Sequence, residues 1–181
     1  IRTAFIGKAG KDAPGDRGER WMAQAGVDTS GLLRSEQVST GQGIRVVEKG
    51  GNNLIVCGES SSRALSVEEA LTQLRRFQGA AFFSTGFEVR EELALAAARE
   101  AKRLGMRTAL NFSPIQTLDV GPLPYIDYLV INEKEAAQLA QVDDWHQLPL
   151  KDLLLTIQAR YQCGCVVVTL GSEGSAGLEG D

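Results

Sequence analysis

The chain of 181 residues contains a single histidine, His146, and only three cysteines, Cys57, Cys163 and Cys165. One histidine cannot build a histidine metal site, and among its polar neighbours it reads as a surface loop residue. The cysteine count is odd, and Cys163-Gly-Cys165 lacks Cys-x-x-Cys spacing. Reduced thiols in a cytoplasmic protein are therefore expected. No Lys/Arg-rich run is present and the net charge is −4, which argues against a nucleic-acid partner. No apolar run approaches the roughly 18–20 residues of a membrane span, and the first residues do not follow a signal-peptide pattern. No Gly-x-Gly-x-x-Gly turn opens a helix, so a dinucleotide fingerprint is not supported. A Gly-x-Ser-x-Gly nucleophile elbow is also missing. The segment Gly7-Lys-Ala-Gly-Lys-Asp12 fails as a P-loop. Its glycines are too close together, and Asp12 stands where a hydroxyl is needed for Mg²⁺.

What is present is ordinary for a globular protein: 43% hydrophobic and 23% charged residues. One domain with a real core is expected at this length. Short apolar strands alternate with helical stretches, which gives an α/β fold with a largely parallel sheet flanked by helices. Thr3–Ile6 reads as a strand leaving into Gly7, followed by a loop to Gly15 and a helix from about Asp16 to Ala25. Thr40–Lys49 and Leu54–Cys57 are β-rich, with a turn at Gly50-Gly-Asn-Asn53, and read as a hairpin. Such a hairpin among βα units is either a lid over a site or an ornamental edge. Ser66 with Glu69 makes a capping box for a helix over Val67–Phe77. Ala80–Phe83 is the next strand, and Glu88 begins a helix to Leu104 that Gly105 ends. Thr108–Leu110 is a strand, and Leu150–Tyr161 a helix leading into the strand Cys165–Leu170.

The chain is organised around Tyr128-Leu-Val-Ile-Asn-Glu-Lys-Glu135. A buried strand ends at Asn132 and a helix begins at once, so Asn132 sits where an N-cap belongs. Asn132 and Glu135 can also bring oxygen ligands near one point, which suits hydrated Mg²⁺ shared with a nucleotide phosphate. A cap complementing the helix dipole would look the same. Polar groups stand at four strand ends: Glu88, Asn111, Asn132 with Glu135, and Thr169 to Gly174. If the strands are parallel, these ends share one edge of the sheet, where open α/β sheets bind ligands. Gly171 and Gly174 would let backbone N–H groups approach an anion, and Thr169 and Ser172 add hydroxyls. An ordinary β-turn remains the other reading of that segment.

These pieces together resemble the ribokinase-like (PfkB) carbohydrate kinases. The matching segments run in the family's order: Gly10-Lys-Asp12 with Gly15, Gly26-Val-Asp-Thr29, Ser39-Thr-Gly41, Gly51-Asn-Asn53, Glu88, Leu110-Asn-Phe-Ser-Pro114, Ile131-Asn-Glu-Lys-Glu135 and Val168-Thr-Leu-Gly-Ser-Glu-Gly174. The resemblance implies a Rossmann-like α/β domain over residues 1–181, incomplete at both ends, with a β-hairpin lid at about 37–58. It implies ATP-dependent phosphorylation of a sugar hydroxyl with Mg²⁺, and in the full-length parent a monovalent cation such as K⁺. Glu88 would contact the sugar. Asn111 would stand by the phosphate path, and Asn132 would bind phosphate with Glu135 serving the metal. Thr169, Gly171, Ser172 and Gly174 would line the nucleotide. A homodimer through the lid is a further implication. The family's substrate-binding Asp strand, its glycine-pair motif and its Gly-Ala-Gly-Asp motif are not found in these residues. Asp181 follows the preceding turn too closely to be that base. Ser60-Ser-Ser62 stands where ribokinases carry Gly-Ala-Asn, so ribose is not singled out. A fragment without turnover of its own is therefore expected; a non-catalytic nucleotide- or sugar-binding module is the alternative.

Overall fold

A computed structural model describes residues 1–49, 53–57, 61–115 and 120–179. The expected turn residues 50–52, together with Ser60 and Asp181, lie outside the described residues. The chain divides into two compact units, Ile1–Arg76 and Phe77–Asp181.

The first unit opens with β1 (Thr3–Gly10), α1 (Ala13–Gln24) and β2 (Val27–Ser35). β1 and β2 pair in parallel from Thr3↔Val27 to Gly10↔Ser35, with an irregularity between Ala4 and Ile6. Three sequence readings change here. The first strand does not stop at Gly7, because β2 supplies it with a ladder partner as far as Gly10. β2 itself was missed: Val27, Leu32 and Leu33 are too widely spaced for a strand pattern. α1 also begins earlier than Asp16. The Asp12 side chain accepts the Gly15 N–H at 2.9 Å as N-cap, and Pro14 is tolerated in a first turn because no intrahelical partner is lost there. Gly26, with φ +79°, follows the end of the helix.

β3 (Gly43–Val47) and β4 (Asn53–Cys57) form the antiparallel hairpin, pairing Ile44↔Val56, Arg45↔Ile55 and Val46↔Leu54. α2 (Val67–Arg76) starts with the expected capping box. Ser66 Oγ accepts the Glu69 N–H at 3.1 Å, and Glu69 Oε2 accepts the Ser66 N–H at 2.8 Å.

The second unit contains β5 (Phe82–Gly86), α3 (Glu91–Arg103), β6 (Arg107–Asn111), β7 (Tyr128–Asn132), α4 (Glu133–Ala140), α5 (Leu150–Tyr161), β8 (Cys165–Thr169) and β9 (Ser175–Glu179). Its five strands lie in chain order; β5 to β8 are parallel and β9 runs back antiparallel to β8. α3 presents Leu93, Ala94, Ala97, Ala98 and Ala101 as its buried face. Thr108, Ala109 and Leu110 are buried in succession, as befits a central parallel strand covered on both faces. Phe87, Leu110, Phe112, Leu129, Ile131, Leu139, Tyr161, Val166 and Val168 share one core. The result is a mixed α/β fold with a mostly parallel sheet flanked by helices.

The helix expected from Glu88 begins instead at Glu91, because the end of β5 is held in a turn. The Phe87 N–H donates to the Ser113 carbonyl at 3.1 Å and the Phe87 ring is buried. Glu88 is thereby kept in the turn rather than in the helix. Among the described residues, no helix is long and apolar enough to cross a membrane.

Candidate functional site

The register of the second unit decides where its polar residues meet. Gly86 pairs with Asn111, Asn111 with Val130, and Asn132 with Thr169. The carboxyl ends of β5, β6, β7 and β8 therefore form one edge, which is the ligand-binding edge of open α/β sheets. Every sequence-nominated residue lies on it. Glu88 occupies the turn after β5, while Asn111, Asn132 and Thr169 are the last residues of β6, β7 and β8. Gly171, Ser172 and Gly174 belong to the turn between β8 and β9. All of these are exposed, and Glu135 alone is buried, at 8% exposure.

A buried layer supports the exposed row. Phe87 and Phe112 meet edge to face at 4.9 Å, and Phe112 packs on Tyr161 at 5.5 Å. The Phe112 N–H donates to the Val130 carbonyl at 3.0 Å, extending the β6–β7 link past Asn111. The Phe87–Ser113 hydrogen bond links the β5 and β6 loops and so holds Glu88 near Asn111. The sequence carried no signal for this bond, which joins backbone groups far apart in the chain. A side chain at Gly86 would place its Cβ 3.1 Å from the Asn111 carbonyl oxygen. The close approach of these two loops therefore favours glycine.

Asn132 and Glu135 realise the capping box in full. Asn132 Oδ1 accepts the Glu135 N–H at 2.9 Å, and Glu135 Oε2 accepts the Asn132 N–H at 2.8 Å. These bonds orient both groups. With Oδ1 committed to the helix, Asn132 has its amide NH₂ to offer, a donor pair suited to a phosphate oxygen. The second oxygen of Glu135 is not drawn into the box. A buried carboxylate at a helix start repels a bare phosphate, whereas a cation between them makes the two compatible. Among the described residues no cluster of three or more His, Cys, Asp or Glu could cage a metal. The donor set fits Mg²⁺, which keeps several waters and takes one or two carboxylates plus substrate phosphates.

The turn after β8 is built for close backbone approach. Gly171 and Gly174 have φ of +54° and +95°, conformations that glycine adopts without strain. Leu170 N–H donates to Gly174 and Glu173 N–H to Leu170, at 2.8 and 2.9 Å, and these bonds fix the turn. Those bonds do not use the Gly171 and Ser172 amides. Thr169 Oγ1 donates inward to the Ile131 carbonyl at 3.3 Å. Its hydroxyl was expected as an outward donor; with the proton so directed, its oxygen is left as an acceptor.

The first unit has a groove of about 390 Å³ whose lining includes Lys8, Lys11, Arg34, Glu36 and Glu69. Its cations are already paired: Lys8 with Glu69 at 2.7 Å, Lys11 with Glu36 at 2.6 Å, and Arg34 with Asp16 and Glu19 at 2.6 Å each. It reads as an ion-paired framework rather than an anion site.

Comparison with known proteins bears on all of this. The family model for pfkB family carbohydrate kinase matches residues 1–181. The chain is 28% identical over 176 residues to a ribokinase of Staphylococcus aureus, covering 96% of this chain and 57% of the relative. The ribokinase structure from Thermotoga maritima superposes with a TM-score of 0.81 at 23% identity, covering 98% of this chain and 57% of that one. An Arabidopsis thaliana ribokinase solved with ribose and ATP gives 0.78 at 22% identity, with 98% and 58% covered. The chain thus spans a little over half the length of these proteins.

Proposed function

The chain belongs to the pfkB family of carbohydrate kinases, and from that premise we propose that the whole protein transfers the γ-phosphoryl group of ATP to a sugar hydroxyl. The row of polar strand ends along β5 to β8 carries this reading. With strands about 4.8 Å apart, the row runs roughly 14 Å from the β5 turn to the β8 turn. That span accommodates an acceptor at one end and a nucleotide at the other. The Arabidopsis relative was solved with one such pair, ribose and ATP.

In this proposal Glu88 accepts hydrogen bonds from hydroxyls of the sugar, and its exposed turn keeps it accessible. Asn111 stands beside the path of the transferred group, and the Asn132 amide donates to a phosphate oxygen. Thr169, Gly171, Ser172 and Gly174 line the nucleotide, with the Gly171 and Ser172 amides as its backbone donors. Glu135 would hold Mg²⁺ with the carboxylate oxygen that the capping box leaves over. Mg²⁺, when bound, neutralises the charge that develops on the phosphates. Phosphoryl transfer depends chiefly on positioning and charge stabilisation, and the capping box supplies the positioning of Asn132 and Glu135. A monovalent cation such as K⁺ is proposed for the full-length protein. The β3–β4 hairpin is read as the lid, and its apolar face of Ile44, Val46, Leu54 and Val56 as a homodimer contact. The free, buried thiol of Cys163 and the use of ATP support a cytoplasmic setting. For these 181 residues alone we propose ligand binding without turnover, since no Gly-Ala-Gly-Asp motif is among them.

The test is thermal. Mg·ATP at one hundred times its dissociation constant stabilises a native protein by about 2.7 kcal/mol. A rise in melting temperature that needs both ATP and Mg²⁺ is expected. Melting curves indifferent to ATP, ADP and Mg²⁺ at millimolar concentration would refute the nucleotide site.

A further inference from the structure

The hairpin β3–β4 has little to lean on. Ile44, Val46, Val47, Leu54, Ile55 and Val56 are each 50–66% exposed. Side-chain burial within the first unit therefore does not set its direction, and what does must lie at its base. Thr40 precedes β3 and Ser61 follows β4. On the outgoing side, the Thr40 N–H donates to Asp12 Oδ2 at 2.8 Å, and Thr40 Oγ1 donates to Asp12 Oδ1 at 2.6 Å. The same Oγ1 accepts the Gly10 N–H at 2.8 Å. On the returning side, buried Ser61 donates its hydroxyl to the Lys8 carbonyl at 2.8 Å. The Ser61 N–H donates to the Ser39 carbonyl at 3.1 Å, joining the two sides.

The node is braced from below. Arg34 donates to the Gly10 carbonyl from Nε and one terminal nitrogen, at 3.0 and 2.8 Å, while pairing with Asp16 and Glu19 of α1. The packing is close enough to require glycine. A Cβ on Gly10 would fall 2.5 Å from Asp12 Oδ2 and 2.7 Å from the Thr40 nitrogen. The Thr40 hydrogen bonds, with the Gly15 N–H, hold the Asp12 carboxyl below its usual range despite some desolvation, and Arg34 adds to this. At neutral pH Asp12 is thus the anion that accepts all three bonds.

We infer that Asp12, Thr40 and Ser61 form a hinge clamp that sets the direction in which the β3–β4 hairpin leaves β1 and α1. Asp12 and Thr40 act as positioning residues. That the clamp governs lid closure rests on the kinase reading above; the clamp itself needs no ligand.

The experiment is a distance measurement on the 181-residue chain. Nitroxide labels are carried on non-cysteine handles at Arg20 of α1 and Val46 of β3. The unaltered chain is expected to give one narrow distance distribution. Thr40→Val removes the hydroxyl at near-constant volume, and Asp12→Asn puts an amide where an acceptor is needed. In each, the population of other hairpin directions should rise about tenfold or more, the factor a hydrogen bond to a charged group supplies. Thr40→Ser restores the hydroxyl and the narrow distribution. Ser61→Ala leaves the Asp12 bonds in place and should broaden the distribution in the same sense, so the idea stays open to refutation if Thr40→Val unfolds. Unchanged distances in Ser61→Ala and in any folded Thr40 or Asp12 variant overturn the clamp. So does a Thr40→Ser chain as disturbed as Thr40→Val. Because no nucleotide is present, a failed clamp leaves the thermal response to Mg·ATP intact, and a failed kinase reading leaves the distances intact.

Discussion

Replacing Glu135 with glutamine separates its role as a helix cap from the metal role proposed for it. Glu135 caps α4 by accepting the Asn132 N–H at 2.8 Å and is buried at 8% exposure. Glutamine keeps a carbonyl oxygen that can accept the same bond, so the capping box survives. What is lost is a negative charge near the helix start, about 0.3–1 kcal/mol. At about 2–4 °C per kcal/mol for a chain of this size, the melting temperature should fall by less than about 4 °C. The ligand response should change more. At one hundred times its dissociation constant, Mg·ATP should raise the unaltered chain by about 2.7 kcal/mol, or about 5–10 °C. Losing a metal carboxylate that weakens Mg·ATP tenfold removes about 1.4 kcal/mol of that rise. Without Mg²⁺ the sign reverses: the variant loses a carboxylate that repels the phosphates, so ATP alone should stabilise it at least as well as the parent. Calorimetric melts of both proteins with ATP, with and without Mg²⁺, read all four values. An equal Mg²⁺-dependent rise in the two proteins would leave Glu135 a helix cap and nothing more.

Two further outcomes follow from the first unit. Gly15→Ala should destabilise the chain by about 1–3 kcal/mol, the cost of overpacking, because its Cβ would sit 2.4 Å from the Gly10 carbonyl oxygen and 2.8 Å from Thr40 Oγ1. Gly18→Ala, in the same helix with nothing within 4 Å, should be neutral or stabilising by up to about 1 kcal/mol; denaturant unfolding of both reads the contrast. Glu69 is held below the usual carboxyl value of 4.5 by the Lys8 ammonium and then by the Ser66 N–H, against a smaller desolvation. Its folded-state value being depressed, its contribution is complete above that usual value and is lost as pH falls through the folded one. Glu69→Gln should therefore flatten the acid limb of the stability curve and leave the slope above about pH 5 unchanged. An acid limb of the same steepness in the variant would count against the Lys8–Glu69 pair.

Much was legible in the chain because the signals were local. The run Tyr128–Asn132 is short, apolar and followed at once by Glu133, and it is a strand entering a helix within those bounds. Ser66 with Glu69 and Asn132 with Glu135 are capping boxes, whose geometry is settled within four residues. The alternating strand and helix pattern determined the α/β class. The polar strand ends, in the family's order, marked the residues that could line a site.

The tertiary structure decided what depends on distant partners. Val27–Ser35 has no strand pattern of its own, and pairing with β1 makes it one while carrying β1 on to Gly10. Glu88 stays out of α3 because Phe87 is tied to Ser113 across the β5 and β6 loops. Asn132 turns its amide rather than its oxygen outward because the oxygen is spent on its own helix. Gly10 is a glycine because Asp12 and Thr40 crowd it, and Gly15 because the Gly10 carbonyl and Thr40 do, a requirement that no spacing in the sequence announces. Local hydrogen bonding and hydrophobic period are written residue by residue. Which strand pairs with which, and which side-chain atom remains to meet a ligand, follow only once remote segments compete for the same donors and acceptors.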